Sequence, residues 1–130
     1  MNQGNFNPNG ITLPNGSFFG FPSSVEEASI VLLPVPWDVT TSYSDGAANA
    51  PQAILDASVQ LDWYDFDLPQ AWQTPCGTIP IDADIQQQNK VWRAIAKEII
   101  NYLEQGGQVD DEKISKRLAA VNQASAALNH

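Results

Sequence analysis

The chain has 130 residues, 43% of them hydrophobic, a net charge of -9 and a sequence pI near 4.1. That length bounds it to one domain, able to bury about two-thirds of its unfolded surface. Six Lys and Arg against fifteen Asp and Glu supply no basic face to release counterions, which argues against a nucleic-acid or anionic-membrane binder. The charged fraction of 16% is low, which suits a face covered by a partner. Cys76 is the single cysteine, so no intrachain disulfide scaffold can form. It reads as an unreactive thiol, because the only histidine, His130, is the last residue. No Lys or Arg precedes the first apolar residues, and the longest strongly apolar run falls far short of the ~20 residues that span a bilayer. A cytoplasmic setting is expected.

Residues 1–24 are rich in Asn, Gly and Pro, with Phe6, Phe18, Phe19 and Phe21 among them. This composition predicts an extended N-terminal arm. Its Phe18–Pro22 cluster is too apolar for a free tail, and is expected to pack on the chain or on a neighbouring subunit. Ala28–Leu33 is the clearest strand, a β-branched and Leu run without polar alternation, as in a parallel sheet covered on both faces. Pro34 and Pro36 end it. Trp37–Ala50 reads as a long loop. Pro51 opens a helix with Ile54, Ala57, Ser58 and Leu61 on one face.

Leu61–Leu68 alternates loosely and predicts a second, short strand; residues 69–84 hold three prolines and read as irregular. In the next helix Val91, Trp92, Ile95, Ala96, Ile99, Ile100 and Leu103 share a stripe, which stops at Gly106-Gly107. Asp110 can cap a last helix with the stripe Ile114, Leu118, Val121, Ser125 and Leu128. A doubly covered parallel strand needs parallel neighbours from further βα units. The chain offers one good strand and one doubtful one. Residues 25–130 are therefore expected to be the incomplete N-terminal portion of a larger α/β domain.

Metal sites need converging carboxylates or histidines. The pair Asp82 and Asp84 and the group Asp62, Asp65 and Asp67 read as solvated loops, since no His accompanies them, and no metal ligand or catalytic residue is assigned. Nucleophilic triads fail for lack of an internal histidine, and phosphate loops fail because Gly46 is isolated and Gly106-Gly107 follows a helix instead of preceding one. Trp37, Trp63, Tyr64, Phe66 and Trp72 read as packing residues in preference to a ligand cage. One loop remains. Ligands of open α/β sheets bind beyond the carboxyl ends of the strands, and this loop follows the main strand with Thr40, Thr41, Ser42 and Tyr43 plus the carboxylates Asp38 and Asp45. Those groups can orient a polar cation or simply make turns.

At this loop the sequence resembles the ureohydrolase family of arginases, agmatinases, guanidinobutyrases and guanidine hydrolases. The resemblance lies in Ile30-Val31-Leu32-Leu33-Pro34-Val35-Pro36-Trp37-Asp38, then Thr41-Ser42-Tyr43, Gly46, Pro51-Gln52-Ala53-Ile54 and Ala57-Ser58. The arm residues Phe19-Gly20-Phe21-Pro22 and the later Gln60-Leu61-Asp62 with Tyr64-Asp65 look like the agmatinase-like branch. Ala50 departs from the Gly that usually precedes Pro51 in the family. The resemblance implies a three-layer α/β/α parallel-sheet domain, and a binuclear Mn²⁺ or Ni²⁺ centre whose bridging hydroxide attacks a guanidinium carbon to release urea. It also implies a homo-oligomer, a trimer or hexamer. The family's Gly-Gly-Asp-His, Asp-x-His-x-Asp and Ser-x-Asp-x-Asp motifs are not in these 130 residues and are expected beyond His130, so the chain alone is expected to be inactive and to bind no metal. Trp37, Asp38, Thr40, Thr41, Ser42 and Tyr43 are the expected substrate-lining residues. The alternative is a short non-catalytic paralogue acting as an interaction or oligomerisation module.

Overall fold

In the computed structural model, which describes residues 7–129, the strand expected over Ala28–Leu33 forms as β1, Ile30–Leu32. Its parallel partner is β2, Cys76–Thr78, in the register Ile30↔Cys76, Val31↔Gly77 and Leu32↔Thr78. This corrects two expectations. The partner strand lies in the proline-bearing stretch read as irregular, and Leu61–Leu68 forms no strand.

The reasons are local. Pro75 lacks a donor but lends its carbonyl, which accepts from the Ser29 and Ile30 amides at 2.9 and 3.2 Å. Gly77 lets β2 approach the preceding segment, since a Cβ there would sit 2.9 Å from Val25 Cα and 3.0 Å from the Ser24 carbonyl oxygen. In the rejected segment Asp65 Oδ1 accepts from the amides of Asp67 and Leu68, both at 2.8 Å. That side-chain turn diverts the backbone from a ladder. Nor do the described residues cover β1 fully: Ile30 is 48% and Val31 43% exposed.

These strands belong to one of two compact units, made of the chain up to Val35 together with Asn49–Asp82. Helix α1, Ala50–Ser58, starts with Pro51 in its first turn as expected. Of its predicted stripe only Ser58 is buried, while Ile54 points outward. The Ser58 hydroxyl donates to the Leu55 carbonyl and accepts from the Phe19 amide, each at 2.8 Å. That contact helps to hold Phe19 at φ 63°, a left-handed conformation costly for an aromatic residue.

Around it the aromatic cluster packs on the chain itself. Phe18 and Phe21 are buried, the Phe18 amide donates to Thr78 Oγ1 at 2.9 Å, and Trp63 meets the rings of Phe19 and Phe21 at 5.9 and 4.4 Å. Phe6 and His130 lie outside the described residues.

The second unit comprises Pro36–Ala48 and the chain from Ala83 onward. Helix α2, Ala83–Glu104, starts before the predicted stripe, and α3 spans Glu112–Ala127. After α2, Gly106 takes φ +87°, the conformation that glycine allows just past a helix end. Helix α3 is capped by Asp111, not by the expected Asp110. Its Oδ1 accepts from the amides of Lys113 and Ile114 at 3.0 and 3.1 Å. Asp111→Ala is expected to destabilise this unit by about 1 kcal/mol, read as a lower urea midpoint; an unchanged midpoint contradicts the cap.

The core of the second unit contains Ala96 and Ile99 from α2 and Ile114 and Val121 from α3. Its remaining fully buried member, Val39 at 0% exposure, comes from the loop after β1. Trp37, Trp92, Ile95, Leu103 and Leu118 pack around this cluster. Among the described residues no helix is long and apolar enough to cross a membrane.

Candidate functional site

The loop Pro36–Ala48 is tied down at several points within its unit. Asp38 is only 6% exposed, and its two carboxylate oxygens accept different donors. Oδ1 takes the Asn89 side-chain amide at 3.0 Å. Oδ2 takes the backbone N–H of Gly46 at 2.7 Å and of Ala48 at 3.2 Å. The Asp38 amide in turn donates to Asn89 Oδ1 at 2.8 Å, so Asp38 and Asn89 clasp each other by two bonds. Gly46 at φ +119° turns its N–H toward the carboxylate, a backbone state that L side chains rarely adopt.

Burial raises the Asp38 pKa, but the Asn89 amide, the Gly46 and Ala48 N–H groups and the Arg93 charge outweigh it and hold the carboxyl below its ordinary value.

Arg93 fastens the earlier part of the loop. Its Nη1 donates to the carbonyls of Val39 at 3.1 Å and Thr41 at 2.6 Å. Its Nε is buried without a hydrogen-bond acceptor and lies 4.0 Å from Asp45 Oδ2. Lys97 approaches the same carboxylate oxygen at 3.6 Å. Asp45 and Lys97 are more than half exposed, so this pair adds little to stability.

The expected substrate-lining residues divide by direction. Asp38 faces inward and its oxygens are engaged by the chain itself. Trp37 is half-buried against the core. Thr41 is half-buried, its hydroxyl donating to the Asp38 carbonyl at 2.9 Å. Thr40, Ser42 and Tyr43 face solvent, Tyr43 fully.

Sequence reasoning passed over Asn89 and Arg93. The signal was present: both fall at helical spacing on the face that also carries Trp92 and Ala96, where a polar side chain must find partners.

Trp37 lies in a different unit from Trp63, Tyr64, Phe66 and Trp72. The latter four border a groove of about 980 Å³ in the first unit, where Tyr64 and Phe66 meet edge-on at 5.1 Å. Cys76 sits half-buried in β2, and burial pushes its thiol pKa up, which disfavours a reactive thiolate. Among the described residues no three His, Cys, Asp or Glu side chains converge to hold a metal ion.

The strand-loop-helix order and the loop's motif agree with a family-level match. The model of the arginase family matches residues 28–110, and the chain belongs to that family, the ureohydrolases. Its fold is accordingly of the α/β class, and β1 with β2 supplies a parallel strand pair.

Among curated proteins, the chain is 39% identical over 59 residues to the N(1)-aminopropylagmatine ureohydrolase of Synechocystis sp., covering 45% of this chain and 18% of that protein. It is 46% identical over 46 residues to the enzyme of the same name from Thermus thermophilus, covering 35% of this chain and 16% of that protein. The match thus spans less than a fifth of each relative. No solved structure matches significantly. The arginase family generally works with a binuclear metal centre, and the described residues do not fit one.

Proposed function

We propose that this chain serves as the N-terminal segment of a metal-dependent ureohydrolase that hydrolyses a guanidino compound, such as agmatine or guanidine, to urea. The observation that carries this reading is the arginase-family match over residues 28–110, which includes the whole clamped loop.

In this reading the segment begins a three-layer α/β/α domain, and the complete enzyme is a homo-oligomer. Mn²⁺ or Ni²⁺ is held by residues outside the segment, and the enzyme works in the cytoplasm. Thr40, Ser42 and Tyr43 are the groups of the loop best placed to meet a substrate, as hydroxyl donors and acceptors around a polar cation. Asp38 acts on them through the backbone.

The test is a chimera in which this chain's matched segment replaces the corresponding 59 residues of the Synechocystis relative. With Mn²⁺ or Ni²⁺, urea release from a guanidino substrate is expected from the chimera and none from the 130-residue chain. A folded but inactive chimera, or urea release by the chain alone, overturns the proposal.

A further inference from the structure

The clamp on the loop is built from residues far along the chain. Asn89 and Arg93 stand one helical turn apart on α2 and reach back to Asp38, Val39 and Thr41. Asn89 is buried, and Arg93 keeps 12% of its side chain exposed. Burying a guanidinium and a primary amide is costly unless their hydrogen bonds are met. What they hold is mostly backbone, which fixes a path: two carbonyls by Arg93, and one amide plus the carboxylate that gathers Gly46 and Ala48 by Asn89.

Val39 is fully buried between these contacts, whereas Tyr43 is fully exposed. The result is a loop rigid at its base, with polar and aromatic groups aimed outward at its tip. Such preorganisation is what a binding loop requires, because ordering it at the moment of binding would subtract from affinity.

We infer that Asn89 and Arg93 are positioning residues, which fix the backbone of the loop so that Thr40, Ser42 and Tyr43 are presented to a guanidino ligand in one arrangement. The inference rests on the reading of the loop given under Proposed function.

It is tested on the full 130-residue chain by amide hydrogen exchange read by NMR, followed by titration with agmatine as the probe. In Arg93→Met and Asn89→Leu, the amides of Gly46 and Ala48 should gain in exchange rate at least about tenfold more than those of Ile99 and Val121. Arg93→Lys, which retains the charge and a donor but not the planar fork, should recover part of the loss. Loop amides with unchanged rates in both variants overturn the inference. So does loosening of Ile99 and Val121 in step with the loop, which marks a merely structural role.

In the agmatine arm, saturable shifts at Thr40–Ser44 that weaken in Arg93→Met support the inference, and equal binding by that variant overturns it. If the unmodified chain shows no shifts, the loop does not bind agmatine by itself. The exchange arm then still decides whether Asn89 and Arg93 position it.

Discussion

Asp38→Ala is expected to destabilise the unit containing α2 and α3 by about 3 kcal/mol at pH 7. Three donors lose their acceptor at once: the Gly46 and Ala48 amides and the Asn89 side chain. Hydrogen bonds to a charged group contribute roughly 1.5–3 kcal/mol each, and the members of one network do not add fully. Urea unfolding followed by tryptophan fluorescence reads the loss, because Trp37 and Trp92 pack against the core of that unit. A change below about 1 kcal/mol would mean that water replaces the carboxylate without cost.

The same substitution has a pH signature. The Asp38 carboxyl is held below its ordinary value in the fold. Its stabilising contribution is therefore complete above the unfolded carboxylate pKa of about 3.9, and is lost as the pH falls through the lower folded value. The difference between Asp38→Ala and the unmodified chain should stay constant from about pH 7 to pH 5 and shrink below about pH 4. A difference that shrinks already near neutrality contradicts this assignment.

Ile99→Ala is expected to cost about 3 kcal/mol in the same assay. Ile99 is 3% exposed and lies in the cluster that joins α2, α3 and Val39. Truncation removes its burial and leaves a cavity that rigid helix neighbours can fill only in part. Val91→Ala provides the contrast. Val91 belongs to the apolar stripe predicted for this helix, but the fold leaves it about half exposed, and its loss should cost no more than about 0.5 kcal/mol. Equal effects at the two positions would show that the stripe, and not the packing, sets the energetics.

The two helices were legible because their signals are short in range. The spacing of Trp92, Ile95, Ala96, Ile99 and Leu103 defines one face of α2, and Gly106 marks its end at a left-handed φ. Pro51 announced α1. The cap of α3 was misplaced by one residue, because Asp110 and Asp111 are equivalent as composition and only the backbone turn chooses between them. Strand β2 was missed for a related reason. Cys76-Gly77-Thr78 has neither length nor alternation, and becomes a strand because the carbonyl of Pro75 and the register with β1 supply its partners. Leu61–Leu68 looked more like a strand than β2 does, yet the Asp65 turn withdraws its amides from pairing.

The candidate site shows the same division. The loop after β1 was visible as a run of hydroxyls and carboxylates, and its motif already resembled the ureohydrolases, as the family match over residues 28–110 then showed. Its inward and outward sides were not visible. A carboxylate in a polar loop reads as a ligand-facing group until Asn89, Gly46 and Ala48 are found around it.

By itself, then, the sequence determined the stripes of α2 and α3 apart from Val91, the start of α1, the main strand and the family, since each is written in neighbouring residues or in a contiguous motif. The tertiary structure alone decided which strand pairs with β1, that Val39 enters the core, and that Asn89 and Arg93 hold the loop. Those outcomes depend on residues some fifty positions apart meeting in space, and no local periodicity encodes which distant group will satisfy a buried donor or acceptor.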